Sequence, residues 1–166
     1  MSSSKIEKVP MQKLDSLNQV AEFHCTFKHP IVDQPAIPKK DRADLRVRLI
    51  AEELDELKEA IANNDMVEVA DALCDIQYVL SGAVLEFGLG DKFVELFEEV
   101  QRSNMSKACN NLDEVNASIK YYKEVKGEDC EYRKEGGKFL LFRSSDQKTL
   151  KSINYSPADI KSILEA

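Results

Sequence analysis

The sequence predicts an all-α fold, a four- to five-helix bundle with a small C-terminal β-hairpin and a short final helix. Three observations predict it. Apolar residues recur at helical spacing through most of the first 125 positions. The breaks between those stretches are rich in Pro, Asn, Gly and Asp. One short segment near Glu135-Gly136-Gly137 abandons the helical period. With 166 residues the chain fits one domain, 1–166, large enough to bury roughly two-thirds of its unfolded surface.

The elements follow in order. Leu14, Leu17, Val20, Ala21 and Phe27 predict a first helix over residues 12–27. Pro30, Pro35 and Pro38 make the next stretch stiff and non-helical. Asp41 or Asp44 starts a second helix through Leu45, Leu49, Ile50, Leu54, Leu57 and Ile61. Asn63-Asn64-Asp65 is a turn and cap, and a third helix runs over 66–87 until Gly88 and Gly90 end it. Asp91 caps a fourth helix carrying Phe93, Leu96, Phe97 and Val100, and a fifth covers 112–125. Residues 131–134 and 138–143 form the hairpin, an appendage over about 129–144. Ser156-Pro157-Ala158-Asp159 starts the last helix, with Ser as cap and Pro at the first position.

Composition narrows the function. Hydrophobic residues make up 43% and charged residues 32%, a globular balance. The net charge of −7 argues against a nucleic-acid polymer as partner. No run approaches the ~18 apolar residues of a membrane span, and MSSSKIEKVP lacks an apolar export core, so a cytoplasmic protein without a membrane partner is expected. Cys25, Cys74, Cys109 and Cys130 form no C-x-x-C pair and read as reduced thiols. Residues 1–100 hold 11 basic against 20 acidic side chains, whereas 101–166 hold 12 against 10. An acidic front and a mildly basic back suit a site that takes a metal on one side and an anion on the other.

The acids themselves are out of place. At 100° per residue, Glu53 and Glu56 share a sector with Leu45, Leu49 and Ala60, with Glu52 at its margin. On the third helix, apolar residues wrap most of the circumference and predict burial, yet Glu68, Asp71 and Asp75 form one stripe. Between Lys58 and Lys92 there is no Lys, Arg or His to balance them. Buried carboxylates without partners cost several kcal/mol each, so a bound divalent metal is the economical answer, and hard oxygen donors select Mg²⁺ or Mn²⁺. A solvated acidic face is the plain alternative. A di-iron site would need Glu-x-x-His pairs, which His24 and His29 do not supply.

Glu52-Glu53-Leu54-Asp55-Glu56 followed by Glu68-Val69-Ala70-Asp71 resembles the E-E-x-x-E … E-x-x-D signature of the all-α nucleoside triphosphate pyrophosphohydrolases. That superfamily includes MazG, the dimeric dUTPases and phosphoribosyl-ATP pyrophosphohydrolase. The resemblance covers most of the chain after about residue 12. Glu22-Phe23-His24, Arg102-Ser103-Asn104-Met105-Ser106-Lys107, Asp146-Gln147-Lys148-Thr149-Leu150-Lys151 and Tyr155-Ser156-Pro157-Ala158-Asp159 resemble further elements of the MazG-like dUTPase relatives. Gln147 stands where those relatives usually carry Gly, and Tyr155 where they often carry a different aromatic.

The resemblance implies a MazG-like bundle and cleavage of a nucleoside triphosphate between the α- and β-phosphates, giving monophosphate and pyrophosphate. It implies Glu53, Glu56, Glu68 and Asp71 as metal ligands. Glu52 is then a second metal ligand or the base that orients the attacking water, and Asp75 holds a further ion or an outer water. Arg102, Lys107, Lys148 and Lys151 are candidates for the phosphate tail, Asn104 for sugar or base, and Phe23, His24 and Tyr155 for the base. Ordinary surface cations, a helix cap at Asn104, a core Phe23 and a structural His24 are the competing roles. A homodimer or homotetramer is implied. The C-terminal elements favour dUTP or a related pyrimidine nucleotide. Phosphoribosyl-ATP hydrolysis and a non-catalytic helical interaction module are the other readings.

Overall fold

The computed structural model describes residues 11–166; the polar segment 1–10, read above for its lack of an export signal, lies outside them. The fold is mostly helical with one two-stranded antiparallel hairpin and a short last helix, as the periodicity predicts. The chain divides into two compact units, the first ending at Asp91 and the second beginning at Lys92.

The first unit holds α1 (Ser16–Phe27), α2 (Lys40–Ala62) and α3 (Met66–Glu86). The first helix starts four residues later than expected and leaves Phe27 exposed. Neither Asp41 nor Asp44 caps α2, which begins at Lys40 just after Pro38 with no side-chain cap. Asp65 does cap α3, its carboxylate accepting the Val67 and Glu68 N–H groups. The short turn lays α2 antiparallel along α3, and α1 packs on α3 as well. The proline-rich connection runs past the end of α3, where the Val32 and Ala36 N–H groups donate to the carbonyls of Leu85 and Phe87. Gly88 permits that approach: its φ is +70°, and a Cβ there would sit 2.0 Å from the Gln34 carbonyl oxygen.

Burial along α3 corrects the expectation. Apart from Ala72, its buried residues cluster at the C-terminal end, at Ser81, Gly82, Val84, Leu85 and Glu86, while Met66, Val67, Leu73 and Leu80 are exposed. Two neighbouring helices cover part of the circumference and no more. Leu54 and Ile61 of α2, expected to face inward, are exposed for the same reason.

A 3-10 turn, Gly90–Lys92, spans the boundary in the chain, so Asp91 does not cap the α4 helix (Phe93–Met105) that follows. The α5 helix spans Leu112–Tyr121 and widens into a π-helical turn, Tyr122–Lys126, which ends the regular helix before the expected residue 125. Strands β1 (Cys130–Glu135) and β2 (Lys138–Arg143) pair through a Gly136-Gly137 turn, both glycines at positive φ. The hairpin is no appendage. It alternates so that Leu141 is fully buried against Cys109, Val115 and Leu150, the core of this unit. The final helix, α6, covers Ile160–Glu165. It is capped by Asp159, which accepts the Ser162 N–H, while Ser156 Oγ, the atom that would cap an earlier start, accepts instead from Arg102 Nη1. The Ser-Pro start predicted above is therefore three residues early. No single helix among the described residues is long and apolar enough to cross a membrane.

Candidate active site

The antiparallel register of α2 and α3 sorts side chains into four levels along one helix pair. Nearest the turn, Glu56, Glu59, Asp65 and Glu68 line an open acidic cleft of about 420 Å³. One turn further, Glu53 sits under the charges of Glu56, Asp75, Glu52 and Asp71. Next, Leu49, Tyr78 and Val79 line an apolar cavity with residues of α1. At the far end Arg42 and Arg46 meet Glu86. The six expected acids are thus gathered on one helix pair, Glu56 being common to the two acidic levels.

Their burial is not what the apolar wrapping predicts. Glu52, Glu56, Glu68 and Asp71 are exposed, and Glu53 and Asp75 are half-buried. Exposure follows from the uncovered flank of α3. Glu52 lies 3.7 Å from Arg48 on the same solvent side. Glu53 stands apart: its Oε2 is sealed from solvent and accepts no hydrogen bond. Burial, then the charges of Glu56, Asp75, Glu52 and Asp71, push its carboxyl above the usual range.

This donor chemistry fits a hard divalent cation, the one partner that would satisfy a sealed oxygen surrounded by acids. As the side chains stand, no three among the described residues converge into a ligand shell. Like charges keep apart without a counter-ion between them.

The expected substrate residues fall into both units. Phe23 is on the rim of the apolar cavity. His24 is buried and carries a structural role: Nδ1 lies 2.8 Å from the Pro30 carbonyl and Nε2 lies 3.3 Å from Arg46 Nη2. In the second unit Arg102 donates to Glu99 through Nε and Nη2, to Ser156 Oγ through Nη1, and to the Pro157 carbonyl through Nη2. It staples the C-terminal segment to α4 with four of its five N–H groups, leaving one on Nη1. Ser103 Oγ donates to Tyr155 Oη, and Lys151 Nζ lies 4.1 Å from the centre of the Tyr155 ring. Lys107 Nζ donates to Asn104 Oδ1 at 2.8 Å, which joins those two residues. Lys148 is exposed beyond the Asp146 turn. Gln147 in that turn has φ +59°, a left-handed backbone conformation that favours Gly.

Three features escaped the sequence. Glu59 and Asp65 join the acidic cleft; Glu59, three residues after Glu56 on α2, was findable from helical spacing. Glu86 is a fully buried acid with two arginine partners, Arg42 Nε at 2.6 Å and Arg46 Nε at 2.5 Å. The shortage of basic residues between Lys58 and Lys92 does not apply to it, because its cations come from the start of α2.

An uncharacterized protein of Acanthamoeba polyphaga mimivirus is 32% identical over 121 residues, 69% of this chain and 48% of that protein. The chain therefore spans about half the length of this relative. The family model described as phosphoribosyl-ATP pyrophosphohydrolase matches residues 20–104, which take in all of α2 and α3 with every acid of the cluster and stop within α4. Half of the chain matches, all six expected acids lie inside the match, and the chain belongs to the phosphoribosyl-ATP pyrophosphohydrolase family, within the MazG-like nucleotide pyrophosphohydrolases.

Proposed function

We propose that the protein hydrolyses a (deoxy)nucleoside triphosphate at the α–β phosphate bond, releasing the monophosphate and pyrophosphate in the cytoplasm. The observation that carries this reading is Glu53, whose sealed and unpartnered Oε2 lies amid four other carboxylates. Family membership supports nucleotide pyrophosphohydrolase chemistry in general. Glu53, Glu56, Glu68 and Asp71 would hold Mg²⁺ or Mn²⁺, with Asp75 one turn along the stripe. Such an ion, when bound, neutralises the triphosphate and lowers the pKa of a water. Glu52, exposed beside the cluster, orients that water and accepts its proton. Lys107, Lys148 and Lys151 supply charge for the phosphate tail, and Arg102, with four of its five N–H groups already donated, has one to add. The exposed Met66, Val67, Leu73 and Leu80 of α3 support a homo-oligomer, a second copy being the occupant that would cover them.

dUTP or a related pyrimidine nucleotide is the proposed substrate. Phosphoribosyl-ATP is the second reading, favoured by the name of the matching family model. Pyrophosphate release from a panel of canonical and modified (d)NTPs and phosphoribosyl-ATP, with Mg²⁺, Mn²⁺ or EDTA, tests both. Metal-dependent release from one or a few pyrimidine nucleotides is the expected result. Release from phosphoribosyl-ATP alone transfers the assignment to that substrate, and silence across the panel leaves an acidic groove that only binds.

A further inference from the structure

The hairpin of the second unit has one finished edge and one open edge. On β2, Phe139 exchanges its N–H and C=O with Cys109, the Leu141 carbonyl accepts the Leu150 N–H, and the Arg143 N–H donates to the Lys148 carbonyl. The backbone groups of these three residues therefore turn away from β1. In an antiparallel ladder the residues opposite them, Lys134, Tyr132 and Cys130, turn away from β2 in the same manner. Their N–H and C=O groups lie along the outer edge of β1, where no backbone partner meets them among the described residues. Residues Glu131 to Glu135 are all exposed.

An open edge is a template for another strand, and charge commonly blunts it. On β1 the charges alternate in sign. Glu131 and Arg133 share one face, where Arg133 Nη2 donates to Glu131 Oε1 at 2.9 Å and to Gln147 Oε1. Both bonds use Nη2, and Nε and Nη1 have no acceptor among the described residues. An edge of one sign would repel its own copy, whereas this one complements itself in one register. A two-fold axis at Tyr132 sets Tyr132 opposite its copy, Cys130 opposite Lys134, and Glu131 opposite Arg133 on both sides of the axis. The outward-turned groups of Cys130, Tyr132 and Lys134 then form the hydrogen-bonded pairs. The Glu131–Arg133 pairs fall between them, at the positions where opposite side chains stand closest. Moving the axis to Arg133 puts Arg133 on Arg133 and Glu131 on Glu135, and moving it to Glu131 puts that acid on itself. An axis nearer the Gly136-Gly137 turn runs out of strand.

We propose that β1 pairs antiparallel with β1 of a second copy of this chain about Tyr132, joining two hairpins into one four-stranded sheet. The contact closes on itself, because each β1 has a single open edge and the far side of β2 is already bridged to Cys109 and Thr149. It uses a surface other than the exposed α3 residues and does not depend on the nucleotide reading.

Amide hydrogen exchange of the intact protein, followed residue by residue by NMR, tests the pairing. When the protein is concentrated from about 10 µM to about 1 mM, the Tyr132 and Lys134 amides should slow about fivefold or more. Glu131→Arg and Arg133→Glu each bring like charges together in this register, and each alone should keep both amides fast at the higher concentration. Mixed in equal amounts, the two variants oppose Arg to Glu on both sides of the axis and should recover the slowing. The Leu140 amide, paired with Arg133 inside the hairpin, should stay slow throughout and report that the strands remain formed. Fast Tyr132 and Lys134 amides in the concentrated parent protein overturn the pairing. Slowing that persists in either variant alone, or a mixture that stays fast, overturns the register.

Discussion

Glu53 and Glu86 belong to the same antiparallel helix pair, and their environments are opposite. Glu86 is fully buried and holds two arginines at 2.6 and 2.5 Å, which carry its pKa below the ordinary carboxylate range although burial itself works the other way. Glu53 is half-buried with one sealed oxygen, has no cation, and is surrounded by four acids that raise its pKa. Burial is common to both, so it does not distinguish a structural acid from a working one. The supply of partners does. One carboxylate is satisfied twice over within the chain and the other is not, and that contrast is what the proposed metal site rests on.

Substitution sharpens the contrast. Glu53→Gln and Asp71→Asn are expected to lower pyrophosphate release by about 100-fold or more, with the helical circular dichroism unchanged. Full activity in either variant breaks the metal assignment. Glu86→Ala is expected to act on stability instead, stranding two arginines at a cost of about 3–5 kcal/mol and lowering Tm on the order of 10 °C. A thermal melt checks it, and a Tm within about 2 °C of the parent would show that the Glu86 ion pairs contribute little.

Metal and pH probe the same pair more gently. A carboxyl whose folded pKa is raised favours the protonated native state, so Glu53 weighs against stability increasingly as pH rises above its ordinary 4.5. Mg²⁺ or Mn²⁺ should relieve that, giving a Tm gain of a few °C near pH 7.5 that shrinks near pH 5, where protons compete, and vanishes in Glu53→Gln. An equal gain at both pH values would place the ion elsewhere. The smallest effect belongs to His24. Burial, then Arg46 and His29 against the opposing Pro30 and Glu86 contacts, hold its pKa below 6.5. Its contribution is therefore complete above pH 6.5 and declines as the pH falls below it. Urea midpoints at about pH 7.5 and 5.5 should fall less steeply in His24→Asn than in the parent.

What the sequence disclosed is what local physics controls. The bounds of α2 and α3, the Asp65 cap and the two-glycine hairpin turn depend on neighbours a few residues away, and periodicity revealed them. The acids could be placed on facing stripes for the same reason. Arg42 and Arg46 sit 44 and 40 residues from Glu86, and a helical wheel holds no information on such a pairing. Burial was misjudged on α3 because a wheel shows which residues are apolar, whereas cover depends on how many helices surround them. A motif lists residue types and does not show that Glu99, Ser156 and Pro157 take four of the five Arg102 N–H groups. The final helix begins late because Ser156 Oγ is engaged by Arg102, far away in sequence.

The alignment of α2 with α3 also makes the helix pair a ruler. Seven residues separate Arg46 from Glu53, a run of about 10 Å along the axis at the helical rise. One residue inserted between them would add 1.5 Å and rotate every later side chain by about 100°, turning Glu53 off the face it shares with Asp75. An extra residue at the Gly136-Gly137 turn would lengthen a solvent-exposed loop with open space around both glycines. Length tolerance therefore differs sharply along this chain: the acidic helix pair is gauged to the residue, and the hairpin tip is not.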